Sequence, residues 1–251
     1  MEVRNGILVW CSLFAATAAF SKNYVSEVRQ NFHEKSNSDL VGQMAAYQTA
    51  SLGYMAYASY FDRGNVHLPG FRKFFLAASE RALKDSQRLI DYINRRGGRL
   101  NFQNIDINDA CKMMDAAGHM ELEFPGQDPL ICRFLKKSDE YDHLKHKTKK
   151  KHLAGTGASQ GQSEPEDWQN GLMALTDALL MERTQLKYLH QFFERPENLR
   201  DKHLLHTIED EFLGEQTRRV KKLGDLITRL KLYPEQDYPL GEYVMDLEMS
   251  S

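Results

Sequence analysis

Four polar residues interrupt the apolar stripes of this chain: Asp85, Glu182, Glu215 and Gln216, and Tyr54 can turn its hydroxyl towards them. A buried carboxylate without a partner is costly, so these groups are expected to pair, to bind a metal ion or to reach water. Carboxylates that face one another inside a helical bundle are natural ligands of iron and other hard cations. Hydrogen bonds among Tyr, Gln and Arg side chains would satisfy the same groups. Both interpretations, a metal site and a polar core, are open at this point.

The helices that must position these residues are predicted from apolar side chains repeating with a period of 3.6 residues. The repeats cover residues 33–62, 69–96, 167–195 and 201–232, with Asp167 as a possible N-cap of the third helix. In the fourth repeat the apolar stripe includes Leu205, Ile208 and Phe212. The pair Gly97–Gly98 is expected to stop the second helix, and Pro196 the third. No window shows the alternation typical of β-strands, so the fold class is all-α.

The connections between the predicted helices differ greatly in length. Helices of about 28–32 residues would each be roughly 42–48 Å long, which suits a four-helix bundle. A short link at residues 195–201 makes the third and fourth helices an antiparallel hairpin. About seventy residues separate the second and third helices, enough to carry the chain back along the bundle. This predicts one long crossover connection rather than an up-down-up-down arrangement.

Composition excludes several classes of protein. The 251 residues contain 33 Lys+Arg and 35 Asp+Glu, so a net charge of -2 gives no general reason to expect nucleic acid as a partner. An apolar content of 41% is ample for a hydrophobic core and excludes wholesale disorder. The mean hydropathy is -0.57, and only residues 6–20 form a long apolar run, which excludes a multi-span membrane protein.

The first eighteen residues have the pattern of a secretory signal peptide, with Arg4 before an apolar segment and small residues after it. An uncleaved anchor or a buried helix is the alternative. The mature chain is therefore expected to span residues 19–251 and to be secreted. Cys11 would be removed with the leader. In an oxidising compartment the two remaining cysteines, Cys111 and Cys132, are predicted to form a disulfide, and two free buried thiols are the alternative.

The crossover contains an insertion of unusual composition at about residues 111–165. Residues 133–152 are rich in Lys and His, whereas residues 154–166 are rich in Gly, Ser and Gln and are typical of a flexible linker. The basic part could bind an anionic partner, such as a polyanion, a membrane surface or a receptor. A solvated insertion without a partner is the alternative, and it is the favoured one.

Several stretches of the chain resemble successive segments of ferritin subunits. They read SEVRQNFHEKSNSDL, ASYFDRGNVHLPGFRKFFL, RRGGRLNFQNI, DWQNGLMALTDALLMER and FLGEQTRRVKKLGDLITRL. The resemblance runs in register over residues 26–110 and from 166 to 251. With its leader and its crossover insertion, the chain looks most like the secreted yolk ferritins of molluscs. The resemblance implies a four-helix bundle with a short fifth helix at residues 240–249 and a hollow shell of 24 subunits, possibly mixed with other ferritin subunits, that stores iron.

The same resemblance implies that the iron-oxidising centre is largely degenerate. Tyr47 stands where a catalytic ferritin subunit has a glutamate, and the family's Glu-x-x-His is matched by Ala82-x-x-Asp85. The family's tyrosine, glutamate and glutamine are retained as Tyr54, Glu182 and Gln216, and Glu215 lies beside the last of these. Such a set could hold one cation weakly and hardly two.

Other positions that the family uses for iron also differ. Arg81 and Lys84 lie where catalytic or nucleating subunits carry glutamates, and this local basic charge disfavours ferric ions. At the three-fold pore the usual Asp and Glu are matched by His206 and Glu209, so a ring of three glutamates could still attract cations. At the four-fold position Glu248 replaces a histidine.

Three functions are compatible with these residues. The first is a secreted iron-storage cage subunit with little or no ferroxidase activity of its own. The second is a cage without iron that serves as a yolk nutrient or a chaperone-like protein. The third is a weakly active ferroxidase in which Asp85 and Glu182 rebuild the site.

Overall fold

The computed structural model describes residues 26–102, 104–105, 109–110 and 170–251, and these ranges contain helices and no strands. Two long helices, α1 (Glu34–Phe61) and α2 (Pro69–Arg95), are followed by α3 (Asn170–Glu194). The single-turn helix α4 (Pro196–Leu199) leads into α5 (Lys202–Ile208), a π-helical turn (Glu209–Leu213) and α6 (Gly214–Lys231). A 3₁₀ turn (Glu235–Asp237) precedes α7 (Tyr238–Ser250). These bounds confirm the four predicted helices and the short fifth. Asp167 lies outside the described residues.

The direction of each helix follows from the side chains that meet across the bundle. In α1 and α2, Ser51 bonds to Ser79 and Asn37 to the backbone of Arg99, so the two helices are antiparallel. The pairs Tyr57–Asp177 and Gln43–Gln185 show that α3 is also antiparallel to α1. Hence α2 and α3 run in the same direction, and the connection between them is a crossover. The predicted topology is confirmed.

Two glycines end α2 in the way the sequence predicts. Gly97 adopts φ 68, in the left-handed region that side chains with a Cβ atom rarely occupy. A Cβ on Gly98 would lie 2.2 Å from Asn37 Oδ1, which accepts a hydrogen bond from the Arg99 amide. The turn therefore brings the backbone after α2 directly against the start of α1.

Two apolar clusters fill the bundle, one towards each end. The first surrounds Tyr54, Phe61 and Phe75, and the second surrounds Met44, Leu89 and Phe212. Buried polar side chains occupy the level between them: Gln43, Asp85, Ser86, Glu182, Gln185 and Gln216. Three candidate metal ligands, Asp85, Glu182 and Gln216, lie in this polar layer, and Tyr54 and Glu215 lie at its edges. None of the helices in the described ranges is both long and apolar enough to span a lipid bilayer.

The π-helical turn between α5 and α6 was not predicted from the sequence, and it changes which residues face the core. An uninterrupted period of 3.6 residues placed Leu205 in the buried stripe, but Leu204 is fully buried and Leu205 is only half-buried. A π turn adds one residue to the helix and shifts the inward-facing register by one position on its far side. The turn thus keeps both Leu204 and Gln216 inside the bundle.

The last helix, α7, docks through two carboxylates that accept hydrogen bonds from the first turns of other helices. Asp246 Oδ1 accepts from the Phe71 amide of α2 (2.9 Å), and Glu242 Oε1 accepts from the Gly171 amide of α3 (2.8 Å). Gly70 permits this approach, since a Cβ at that position would lie 1.9 Å from the Asp246 carbonyl oxygen. The helix starts supply unpaired N–H groups and a positive dipole end, which favour these acceptors.

Candidate metal centre

Three of the predicted ligands form one hydrogen-bonded group inside the polar layer. The Tyr54 hydroxyl donates to Glu182 Oε1 (2.7 Å), and the Gln216 side-chain amide donates to Glu182 Oε2 and to the Glu182 carbonyl oxygen (2.8 Å). These residues come from α1, α3 and α6, and all three are buried. Both oxygens of the Glu182 carboxylate therefore accept a hydrogen bond from the protein.

The fourth predicted ligand, Asp85, is engaged by two arginines. Its Oδ2 lies 2.6 Å from Arg219 Nη2, and its Oδ1 lies 3.1 Å from Arg88 Nη1. The fifth, Glu215, lies at the edge of the layer, with Oε2 3.1 Å from Arg219 Nη2 and 3.4 Å from Arg88 Nη1. Arg88 also donates to the Glu211 carbonyl oxygen at 2.9 Å. Through these contacts the two arginines connect α2 to the π-helical turn and to α6.

Arg219 connects the two groups into a single network. Its Nη1 donates to Gln216 Oε1 (3.2 Å), and Gln216 in turn donates to Glu182. Burial by itself would lower the pKa of the Arg219 guanidinium, but the negative charges of Asp85 and Glu182 more than offset it, so the pKa is raised. A fixed positive charge consequently lies among the predicted metal ligands.

Tyr47 fills the remaining space on the α1 side of the layer. Its ring stacks on Phe212 with the centroids 6.1 Å apart, and the Arg88 guanidinium lies 4.7 Å from the Phe212 centroid. Burial raises the pKa of the Tyr47 phenol, and the charge of Asp85 raises it further. Burial and the neighbouring Glu182 likewise raise the pKa of Tyr54. Both tyrosines are neutral phenols, which are poor ligands for a cation.

The structure thus brings all five predicted ligands together, but it places cations between them. In the parts of the chain that the structure describes, no group of three or more His, Cys, Asp or Glu side chains could hold a metal ion. Sequence reasoning missed Arg88 and Arg219. The available signal was spacing, because Arg88 follows Asp85 by three residues and Arg219 follows Glu215 by four, which places each pair on one helix face.

The two residues assigned to a pore lie away from this network. Glu209 is the first residue of the π-helical turn and is exposed, and His206 lies on the preceding turn with Nε2 3.1 Å from Asp210 Oδ2. Both side chains are exposed to solvent. The proposed pore stays a prediction. Three predictions lie outside the described residues: the leader at residues 1–18, the insertion at about 111–165 and the Cys111–Cys132 disulfide.

Comparison with known proteins gives concordant results. A family model described as a ferritin-like domain matches residues 38–124. Yolk ferritin from Lymnaea stagnalis is 35% identical over 246 residues, which cover 94% of this chain and 95% of that protein. Soma ferritin from the same organism is 30% identical over 227 residues, covering 90% of this chain and 97% of that protein. The similarity therefore extends over nearly the full length of both relatives.

Proposed function

The chain belongs to the ferritin family, and on that premise we propose that it is a secreted, yolk-type subunit of an iron-storage shell whose own ferroxidase centre is largely inactive. Iron is the cargo of this shell. Its oxidation depends on co-assembled catalytic subunits or on slow uncatalysed chemistry. The leader-like pattern of residues 1–18 supports secretion. A relative of each type, yolk and soma, matches the chain, so the leader is the feature that favours the secreted form.

The observation that carries the proposal is the position of the Arg219 guanidinium. It contacts Asp85, Glu215 and Gln216, three of the five residues that would otherwise face a metal ion. A guanidinium keeps its charge at every physiological pH, and the neighbouring charges of Asp85 and Glu182 raise its pKa further. Two Fe(II) ions would have to bind against this charge at short range, where repulsion is poorly screened. A single cation near Glu182 is the most that the remaining ligands could attract.

Two further positions remove ligands without replacing them. Tyr47 is a neutral, stacked phenol, and Ala82 is a buried methyl group in the apolar cluster next to the polar layer. An efficient ferroxidase site needs several anionic or imidazole ligands to neutralise two divalent cations. Here the anionic side chains that remain are already bound to arginines or hydrogen-bonded to neutral groups. The polar layer therefore serves the stability of the bundle.

The exposed apolar side chains support an assembled shell. Large ones lie on α1, α2 and α7, where they would be covered by neighbouring subunits: Met55, Leu83, Leu240, Tyr243 and Leu247. Single exposed apolar side chains are common on monomers, whereas several that lie together on one helix face are typical of subunit interfaces. On α7, the spacing of three and four residues places Leu240, Tyr243 and Leu247 in one stripe. This stripe lies on the helix that the resemblance assigns to the four-fold contact.

Three measurements on the natively purified particle test the proposal. Native mass spectrometry should give a large closed oligomer, metal analysis should find iron, and the initial rate of Fe(II) oxidation should be far below that of a ferritin with a complete centre. A shell without iron would instead favour the nutrient or chaperone function. Rapid, saturable oxidation by shells of this chain alone would show that the centre is active.

A further inference from the structure

A small pocket opens beside the candidate metal centre, in the groove between α2 and α6. Three cationic side chains line it: Arg81 from α2, and Arg219 and Lys222 from α6. Tyr54 and Glu182, both buried, lie on its inner side. Apolar side chains of α2 and α6, including Phe74 and Leu223, complete the wall. Cations from two helices thus converge on one opening.

Two of these cations have no carboxylate partner among the residues that the structure describes. Arg81 and Lys222 are exposed, and neither forms an ion pair within the described ranges. The Lys222 ammonium lies 5.5 Å from the centroid of the Phe74 ring, which holds it over the groove. Lys84 and Arg218, one turn away on the same helices, are also exposed and form no ion pair with the part of the chain that is described. The groove therefore carries uncompensated positive charge.

The one carboxylate in the lining does not cancel this charge. Glu182 is buried, and its carboxylate oxygens accept hydrogen bonds from Tyr54 and Gln216. Its negative charge also interacts with the positive charge of Arg219. The third cation, Arg219, is held by Asp85 deeper in the bundle. An anion at the mouth of the pocket would consequently meet Arg81 and Lys222 first, with Arg219 behind them. The buried carboxylate limits how deeply such an anion could enter.

From this arrangement we propose that the α2–α6 groove binds inorganic phosphate at the pocket mouth, between Arg81 and Lys222. A guanidinium presents a planar fork of donors that matches two oxygens of a tetrahedral oxyanion, and an ammonium supplies a point charge to the others. At neutral pH inorganic phosphate is a mixture of singly and doubly charged anions, and both forms would be attracted to these two cations. The proposal goes beyond iron storage and does not depend on it, because the site consists of protein side chains alone.

Equilibrium dialysis of labelled phosphate against the iron-free, assembled protein tests the site. The double variant Arg81→Gln/Lys222→Gln should weaken saturable phosphate binding at least about tenfold, because both charge-assisted contacts are lost. The matched control Lys187→Gln/Lys202→Gln removes two exposed cations that do not line the pocket, and its affinity should stay within about twofold of the wild type. The Lys-rich segment 133–152 is present in all three proteins, so its contribution cancels.

A second measurement uses only the wild-type protein and does not depend on a variant that folds. Phosphate should slow the acetylation of Lys222 several-fold, measured by mass spectrometry, and should leave the acetylation of Lys187 unchanged. Equal rates at Lys222 with and without phosphate would overturn the proposal. So would the absence of saturable binding to the wild type, or unchanged affinity in the groove variant.

Discussion

The ion pair between Asp85 and Arg219 should be the most sensitive point of the bundle interior. The substitution Arg219→Met removes the guanidinium and keeps an unbranched side chain of similar length. It leaves the Asp85 carboxylate, whose side chain is only 5% exposed, without its 2.6 Å partner. The Arg219 side chain itself is 15% exposed, so solvent screens the pair only slightly. The variant tests directly whether Arg219 neutralises the carboxylate of Asp85 in the candidate metal centre.

The expected loss follows from the geometry of the pair. Removing one member of a buried ion pair typically costs about 3–5 kcal/mol, because the other charge stays buried without compensation. Arg88 still contacts the second oxygen of Asp85 at 3.1 Å, so the lower end of this range is expected here. A loss of about 3 kcal/mol corresponds to a fall of roughly 6–12 °C in Tm for a chain of this size.

A double-mutant cycle separates the pair from general damage to the core. Asp85→Ala combined with Arg219→Met removes both charges, and the double variant should lose about 2 kcal/mol less than the sum of the two single variants. Arg218→Met is the matched control, because Arg218 is the exposed neighbour on the same helix, and it should change stability by no more than about 0.5 kcal/mol. All variants are compared by denaturant-induced unfolding under conditions in which the unfolding and refolding curves coincide, so that their free energies of unfolding can be compared.

Strict additivity of the two single losses would refute this reasoning. Additivity would mean that Arg219 and Asp85 do not interact and that the arginine stabilises the bundle only through its packing. A Tm of Arg219→Met close to that of the wild type would be equally damaging, since it would show that the Asp85 carboxylate reaches water or another cation.

Three further predictions concern iron and pH. Shells made only of this chain should oxidise Fe(II) at no more than about a tenth of the rate of a ferritin with a complete centre, in stopped-flow absorbance measurements. The triple variant Tyr47→Glu, Ala82→Glu, Asp85→His should oxidise Fe(II) little faster than the wild type while Arg219 is present. Adding Arg219→Ala to this variant should raise the oxidation rate several-fold. Equal rates with and without Arg219 would show that the arginine does not obstruct the site. Burial raises the pKa of Glu242 from 4.5 to about 7, so this carboxyl binds a proton more tightly in the folded state. Its contribution to stability is therefore full below about pH 4.5 and falls by up to about 3 kcal/mol as the pH rises through 7. Glu242→Gln should abolish this part of the pH dependence between pH 5 and 8 in thermal unfolding; an identical pH dependence in wild type and variant would contradict it.

The helices of this protein are readable from the sequence because their apolar period is regular and their ends carry clear signals. Gly97 ends α2 with a positive φ, and Pro196 follows α3 within two residues. The π-helical turn could not be read in the same way. Its extra residue changes which neighbour, Leu204 or Leu205, faces inward, and both are leucines, so the sequence shows no difference between the two registers.

For a related reason, the sequence predicted the carboxylates of the candidate site but not its arginines. A carboxylate within an apolar stripe is conspicuous, and Asp85 and Glu182 were identified from it. An arginine at the edge of the stripe is not conspicuous, because most such residues are solvated. Arg219 is largely buried because it pairs with Asp85 of α2. These two residues are 134 positions apart in the chain (219 against 85). A contact between residues so far apart produces no recognisable pattern in the local sequence around either of them.

The docking of α7 on two helix starts has a consequence for local dynamics. Asp246 holds the Phe71 amide and Glu242 holds the Gly171 amide, although these amides belong to different helices. When α7 detaches, both amides lose their acceptors in the same event. The first turns of α2 and α3 and the whole of α7 therefore form one cooperative opening unit. In hydrogen exchange, Phe71 and Gly171 should consequently show similar opening free energies, although neither amide contacts the other.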